Sequence, residues 1–151
     1  MTRTYTFAPL PEPVVGPGEF VFAAVGLAHG HIQGMVEQLI EAGATLSLVF
    51  DADPEKVAGS LARFPQARAA ASEQEVLDDP EVQLVASASI ANQRAPLGVR
   101  VLDAGKDFFA DKPAITTMDD LAAAREAVER TGRMYAVYYG ERVHSEAAIL
   151  A

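Results

Sequence analysis

The strongest constraint on the fold is an alternation of short apolar runs with segments of helical periodicity. Apolar runs rich in β-forming residues predict strands at residues 20–25, 45–50, 67–71, 82–86, 107–110 and 134–139. Periodic or well-capped segments predict helices at residues 32–41, 54–63, 94–103 and 118–131, a short helix after Ser72, and a last helix at 143–151. This order predicts a parallel sheet covered by helices on both faces, which is a doubly wound α/β domain.

Composition narrows the classes of function. The 151 residues carry a formal net charge of −9, which disfavours nucleic acid and anionic membrane surfaces as partners. No cysteine is present, so disulfides, thiolate zinc sites and cysteine nucleophiles are excluded. No apolar run approaches the roughly 20 residues of a spanning helix, and the N-terminus lacks the apolar core of a signal peptide. We therefore expect a cytoplasmic protein with a small-molecule substrate.

Prolines separate the first residues from the rest of the chain. Four of the nine prolines fall within residues 9–17. Residues 1–18 are therefore expected to form an extended, proline-rich lead-in, and residues 19–151 a single domain.

The turn after the first predicted strand, VGLAHGH, is a candidate phosphate site. In a doubly wound sheet this turn offers free backbone N–H groups and the positive end of a helix to a pyrophosphate. Started at Gly26, the glycine pattern G-x-G-x-x-G becomes Gly26, Ala28 and His31, while His29 and Gly30 lie between the last two. Only the first glycine is in place, so the turn is either a dinucleotide site or a plain β–α turn.

Asp51 adds a second indication of a dinucleotide site. It follows the second predicted strand, 25 residues after Gly26, where an acidic side chain bonds the adenosine ribose hydroxyls. A carboxylate there favours NAD and repels the extra 2′-phosphate of NADP, and Ala52 adds no basic group. The cofactor is therefore predicted to be NAD, with NADP as the alternative. Asp53, in contrast, is a predicted cap of the following helix.

Lys112 is the candidate acid/base group. Asp111, Lys112 and Pro113 end the fifth main strand, at the same sheet edge as Gly26 and Asp51. A lysine at that edge is placed to bond a substrate hydroxyl and to help move its proton. The alternative is a solvated loop lysine beside a proline that starts a turn.

In order, the segments VGLAHGH, FDADPEK, LDDPEVQLVAS, DAGKDFFADKP and YYGERVHSE resemble the nucleotide-binding half of the glucose–fructose oxidoreductase / inositol dehydrogenase (Gfo/Idh/MocA) family. The resemblance covers residues 19–151 and implies a Rossmann-type domain. It also implies hydride transfer between a nicotinamide and a sugar, polyol or related compound. The most specific motif is Asp-Lys-Pro, where the family has Glu-Lys-Pro.

The resemblance assigns roles to individual residues. It makes Lys112 the catalytic lysine and Asp51 the ribose ligand. The loop that commonly reads Thr-Pro-Asn, with a histidine soon after, is replaced here, and Arg94 stands near that histidine's position. The implied cofactor contacts, besides Asp51, are Gly26, Ala28, His29, Gly30, His31, Ser89, Asn92, Asp111 and Pro113, and the implied substrate contacts are Arg94, Tyr139 and His144.

Family members normally continue into a second α/β domain that forms the substrate wall and the packing surface of homo-oligomers. The resemblance therefore implies that this chain is the cofactor-binding part of a longer enzyme. Alone, it is expected to bind cofactor and to turn over substrate poorly. A homo-oligomer is compatible with the resemblance.

Three other interpretations of the sequence compete with the oxidoreductase. His29, His31 and a distant His144 offer imidazoles for zinc, but no carboxylate neighbours the pair in the sequence, so no metal site is predicted. A Rossmann module that senses a nucleotide or contacts a partner without chemistry is the alternative function, favoured by the altered glycines. A domain of the S-adenosylmethionine type is a weaker option, since Asp-Lys-Pro has no role in it.

Overall fold

The computed structural model describes residues 12–140 and contains six strands and five helices in that range. In chain order the elements are β1 (Val21–Val25), α1 (His31–Glu41), β2 (Thr45–Phe50), α2 (Pro54–Arg63), β3 (Arg68–Ala69), α3 (Glu73–Asp78), β4 (Leu84–Ser87), α4 (Ala91–Asp103), β5 (Asp107–Asp111), α5 (Met118–Thr131) and β6 (Tyr135–Tyr138). The predicted helix at 143–151 lies outside the described residues.

All strand pairs are parallel, and the sheet order is β3-β2-β1-β4-β5-β6. The chain runs outward from β1 to β3, then returns to the other side of β1 and runs outward again. This is the doubly wound topology, and its switch point lies between β1 and β4. The predicted fold class is confirmed.

The core lies on both faces of the sheet because alternate residues of the central strands point to opposite sides. Ala23 and Val25 of β1 pack with α3, α4 and α5, whereas Phe22 and Ala24 pack with α1 and α2. A strand buried on both faces explains why residues 21–25 are uniformly apolar. None of the helices between residues 12 and 140 is long and apolar enough to cross a membrane.

Helix ends follow the local signals closely. The side chains of Asp53, Ser72 and Thr117 accept the backbone N–H of Glu55, Glu75 and Asp120, and Gly132 ends α5 with a φ of 68°. The largest difference at a helix end is in α4, which begins at Ala91, three residues before the predicted start at Arg94; α1 begins one residue before its predicted start. A turn closed by Gln93 N–H on the Ile90 carbonyl starts α4 ahead of Arg94.

Candidate functional site

The carboxyl ends of β1, β2, β4 and β5 meet at one edge of the sheet. Gly26, Asp51, Ala88 and Lys112 follow these strands directly, and α1 begins above them. In an open parallel sheet the crevice beside the switch point is the usual ligand site, so this edge is the candidate site. It divides into an open cleft beside Asp51 and a buried group of charges around Asp111.

The turn from β1 to α1 is fixed by its neighbours on both sides. Gly26 donates to the Phe50 carbonyl and accepts from Ala88 N–H, and His29 N–H donates to the Ala88 carbonyl. Gly26 has a φ of +72°, and a Cβ there would lie 2.7 Å from the Ser89 Cβ. A glycine is therefore required at the one fingerprint position that the sequence retains.

The beginning of α1 is partly capped by His29, whose Nδ1 accepts His31 N–H at 3.2 Å and whose carbonyl accepts Ile32 N–H. Its N-cap, Gly30, makes no side-chain hydrogen bond, and a Cβ at Gly30 would have no neighbour within 4 Å among the described residues. The helix dipole still favours an anion at this end of α1. The turn therefore suits a phosphate despite its altered glycines.

Asp51 is held at the bottom of the open cleft. Its Oδ2 accepts Leu27 N–H at 2.6 Å, its Oδ1 accepts Asp53 N–H at 2.9 Å, and Lys56 Nζ lies 3.8 Å from Oδ1. These bonds orient the carboxylate and tie the end of β2 to the turn after β1. Each oxygen keeps a lone pair, so Asp51 can still accept a ligand hydroxyl.

The cleft beside Asp51, called the Asp51 cleft below, has a volume of about 490 Å³, within the range of small-molecule sites. Predicted residues Gly26, Ala28, Ser89 and Asn92 line it together with Asp51. Further lining residues, which sequence reasoning did not single out, include Lys56, Glu73, Gln93 and Arg100. The sequence could have indicated Lys56 as a lining residue, because it lies one helical turn beyond Asp53, the cap of α2, and five residues after Asp51.

Arg94 and Asp111 form a buried ion pair behind the cleft. Arg94 is 4% exposed and Asp111 is 1% exposed. The Arg94 guanidinium donates to Asp111 Oδ2 at 3.1 Å, to the Ser89 carbonyl at 2.7 Å and to the Pro113 carbonyl at 3.1 Å. Arg94 thereby ties the loop after β4 to the loop after β5, which favours a positioning role over the predicted substrate contact.

His31, at the predicted phosphate turn, reaches the same carboxylate. Its Nδ1 lies 2.9 Å from Asp111 Oδ1, and the ring of His29 is 4.1 Å from that of His31. We call Asp111, Arg94, His29 and His31 the Asp111 cluster. The imidazole of His31 thereby links the start of α1 to the end of β5.

The Asp111 cluster also supplies the carboxylate that the histidine pair lacks in sequence. His29, His31 and Asp111 each offer one metal-ligand atom, and these atoms lie within 4.8 Å of one another. Arg94 already neutralises Asp111, and the positive end of α1 lies alongside. Both disfavour a cation and favour an anion. The sequence-based expectation of no metal site thus stays a prediction.

Lys112 lies in the open at this edge. Its side chain is exposed and makes no hydrogen bond or ion pair with any residue between 12 and 140. The Lys112–Pro113 peptide bond is cis. Tyr139 is also exposed, one residue after β6, whereas His144 lies outside the described residues.

Tyr135 of β6 holds the loop that follows Lys112. Its hydroxyl donates to the Ala114 carbonyl at 3.1 Å. Burial, reinforced by the charge of Asp120 and opposed by that of Arg94, raises the pKa of Tyr135 to about 12. Tyr135 is therefore a neutral donor at physiological pH.

This fold and edge define a Rossmann-type dinucleotide-binding domain, and comparison with known proteins specifies the family. Residues 14–139 match the GFO_IDH_MocA model, described as an oxidoreductase family with an NAD-binding Rossmann fold. The chain belongs to this family. The predicted family and its NAD cofactor are confirmed.

Individual relatives agree with this placement. Inositol 2-dehydrogenase 2 of Saccharopolyspora erythraea is 33% identical over 60% of this chain and 27% of its own length. The crystal structure of a provisionally assigned oxidoreductase from Erwinia carotovora atroseptica is 45% identical, with a TM-score of 0.84 over 87% of this chain and 40% of that one. The WlbA dehydrogenase of Chromobacterium violaceum, solved with NADH and UDP-GlcNAcA, shares the fold at 21% identity and a TM-score of 0.74, over 91% of this chain and 40% of that one. The chain spans about a third of the length of the curated relatives it matches.

Proposed function

We propose that this chain is the cofactor-binding part of an NAD(P)-dependent oxidoreductase acting on a sugar, polyol or related hydroxy compound. The observation that carries the proposal is the meeting of Gly26, Asp51 and Lys112 at one sheet edge in a member of an oxidoreductase family. Among the relatives are an inositol dehydrogenase and a levoglucosan dehydrogenase, and these names support a polyol or sugar substrate.

The cofactor roles follow from the Asp51 cleft. The start of α1 and the turn at Gly26 would hold the pyrophosphate, and Asp51 would accept the adenosine ribose hydroxyls. Ser89 and Asn92 line the same cleft and would lie along the cofactor. The residues present therefore fit a dinucleotide, although only one fingerprint glycine is retained.

Lys112 is the residue that would act as the acid/base group. When bound, the nicotinamide supplies or accepts the hydride. Lys112 would bond the substrate hydroxyl and move its proton, for which its exposed ammonium, unpaired within residues 12–140, is suited. Asp111 and Arg94 would position Lys112 by holding the loops after β4 and β5, rather than by touching the cofactor or the substrate.

We extend this proposal to the organisation of the protein. Residues 19–151 would form one domain of a longer cytoplasmic enzyme whose second domain completes the substrate site. The isolated chain would then bind cofactor and turn over slowly. Measurable oxidation of polyols or sugars at ordinary enzymatic rates by the 151 residues alone would contradict this extension.

The proposal is tested first by calorimetric titration of the chain with NADH, using Asp51→Ala. Loss of a charge-assisted contact to the ribose should weaken NADH binding by about tenfold or more. Calorimetry is the suitable method because the chain has no tryptophan to report binding by fluorescence.

The matched control is Asp53→Ala, two residues further on. Asp53 caps α2, so its loss should lower the free energy of unfolding by about 1 kcal/mol and leave NADH affinity unchanged. NADH affinity that is the same in Asp51→Ala as in the parent would remove Asp51 from the site.

A binding module without chemistry is the second candidate. Both oxygens of Asp51 already accept backbone N–H groups, so this carboxylate can be accounted for by structure alone. Absence of any NADH binding by the folded parent chain would favour the module over the oxidoreductase.

A further inference from the structure

His31 contacts both parts of the candidate mechanism, the turn proposed for the pyrophosphate and the loop of Lys112. Its backbone begins α1 at that turn, and its side-chain Nδ1 lies 2.9 Å from Oδ1 of Asp111 at the end of β5. Lys112 is the residue that follows Asp111. The glycine or alanine usual at this third fingerprint position has no side chain that could make such a contact.

The Asp111 end of this contact is held firmly. Asp111 is 1% exposed, and its second oxygen accepts the Arg94 guanidinium at 3.1 Å. Because an ionised carboxylate only accepts, Nδ1 of His31 carries the hydrogen, and the bond is charge-assisted. In the sheet, Asp111 is paired with Tyr138 of β6. A displacement of the His31 ring must therefore either break this bond or move the strand end that leads into Lys112.

The His31 end of the contact is open to a ligand. The side chain is 37% exposed, and its Nε2 bonds no residue between 12 and 140. Its backbone N–H donates to Nδ1 of His29 at 3.2 Å in an exposed hydrogen bond, and the centres of the two rings are 4.1 Å apart. An anion at the start of α1 competes for that N–H. Binding at the turn therefore changes the surroundings of the His31 ring directly.

A second route joins the turn to the same loop through the residues after β4. The turn donates a backbone N–H to the Ala88 carbonyl, and Arg94 donates to the carbonyls of Ser89 and Pro113. This route does not use the side chain of His31. Removal of that side chain therefore isolates the contact with Asp111.

We propose that His31 is a positioning residue for Lys112, which transmits occupation of the pyrophosphate turn to the loop of the acid/base lysine. This inference rests on the proposed function, since it concerns the same cofactor and the same lysine. With a dinucleotide in the turn, the bond from His31 to Asp111 sets the end of β5, and Lys112 is aligned for the substrate once the cofactor is bound. The imidazole at the third fingerprint position thus adds a link that a glycine there would lack.

The test uses ADP, which has the adenosine and the diphosphate of the cofactor but no nicotinamide ring to touch Lys112. ADP is added to saturation to the ¹⁵N-labelled 151-residue chain, and the backbone amide signal of Lys112 is followed by NMR. In the parent this signal is expected to shift with the same dependence on ADP concentration as the imidazole Nδ1 signal of His31. In His31→Ala the shift of the Lys112 signal should be lost, because the bond to Asp111 is absent.

Two further variants separate positioning from a general effect on the turn. In His31→Asn the side-chain amide can donate to Asp111 in place of Nδ1, so most of the Lys112 shift should return. His29→Ala is the matched control, because the Nδ1 of His29 is 3.8 Å from Asp111 Oδ2, beyond hydrogen-bond distance. It should keep the Lys112 shift. Circular dichroism verifies that each variant is folded.

The outcomes separate this inference from the proposed function. A Lys112 shift that persists in His31→Ala, or an equal loss of the shift in His29→Ala, would overturn the role of His31 and leave the proposed function intact. In the parent alone, a Lys112 signal that stays in place with ADP bound, or that moves without the His31 Nδ1 signal, would do the same even if His31→Ala does not fold. Binding of neither ADP nor NADH by the folded parent would overturn the proposed function, and the inference about His31 with it.

Discussion

The Asp51 cleft and the Asp111 cluster, the two parts of the sheet edge, differ in how their charged groups are paired. In the Asp51 cleft, the carboxylate bonds backbone N–H groups, and the exposed Lys56 lies 3.8 Å from it and 3.8 Å from Asp53. In the Asp111 cluster, Asp111 and Arg94 are almost fully buried, and the guanidinium donates to three protein acceptors. The first arrangement leaves binding capacity for a ligand, and the second uses it within the protein.

The difference divides the predicted site residues into two kinds. Residues of the Asp51 cleft are expected to change cofactor affinity with modest effects on folding. Residues of the Asp111 cluster are expected to change folding stability first and the position of Lys112 as a consequence. Three predictions follow from this division.

The largest effect is expected from Asp111→Ala. Removing the carboxylate leaves the Arg94 guanidinium buried without a counter-ion, which should lower the free energy of unfolding by about 3–5 kcal/mol. Asp51→Ala should cost less, because it removes no buried ion pair. Urea unfolding of both variants, followed by circular dichroism, measures the difference.

A double variant sharpens this test. Arg94→Met combined with Asp111→Leu removes both charges, so it should cost clearly less than the sum of the two single losses. If Asp111→Ala proves no more destabilising than Asp51→Ala, the contrast between the two regions does not hold.

The next effect is expected at Gly26. In Gly26→Ala, the left-handed backbone and a Cβ 2.7 Å from the Ser89 Cβ should together cost about 2–3 kcal/mol and displace the turn that faces the cofactor. NADH binding should be lost in the same variant. Thermal unfolding and calorimetric titration measure the two effects.

The variant Gly105→Ala separates the effect of left-handed backbone strain from the effect of a steric clash such as that with Ser89. Gly105 has a similar φ of +78°, but a Cβ there meets nothing within 4 Å among the described residues. It should cost only about 1–2 kcal/mol and leave NADH affinity unchanged. Equal losses of stability and affinity in both variants would argue against a special constraint at Gly26.

The smallest effect is expected from Tyr135→Phe. This variant loses the hydrogen bond to the Ala114 carbonyl in the loop after Lys112. The loss should lower the free energy of unfolding by about 1 kcal/mol at pH 9. The pKa of Tyr135 is about 12 in the folded protein and near 10 when unfolded. The stability that the raised pKa contributes is complete below pH 10 and is lost as pH rises through about 12. The parent and the variant should therefore differ less at pH 11 than at pH 9, and a larger difference at pH 11 would refute this role.

Most of the fold could be predicted because its signals are local. The caps at Asp53, Ser72 and Thr117 each bond a backbone group two or three residues away, and the apolar runs that form the strands are continuous. The start of α4 at Ala91 was missed because no side chain caps it; the helix begins from a backbone turn between Ile90 and Gln93.

The functional site was only partly predictable. Asp51 and Gly26 could be placed because the spacing of a β–α–β unit fixes where its two turns meet. The partners of Arg94 could not, since Asp111 lies 17 residues away and no periodicity links them.

The sequence by itself determined the alternation of strands and helices, their caps and the four turns at one sheet edge, because propensity, periodicity and capping act within a few residues. The tertiary structure decided which charges at that edge are buried together and which remain free. His31 and Asp111 are 80 residues apart and meet only through the order of the strands. Charge compensation depends on distance and burial in space, so only the folded chain separates the open Asp51 cleft from the closed Asp111 cluster.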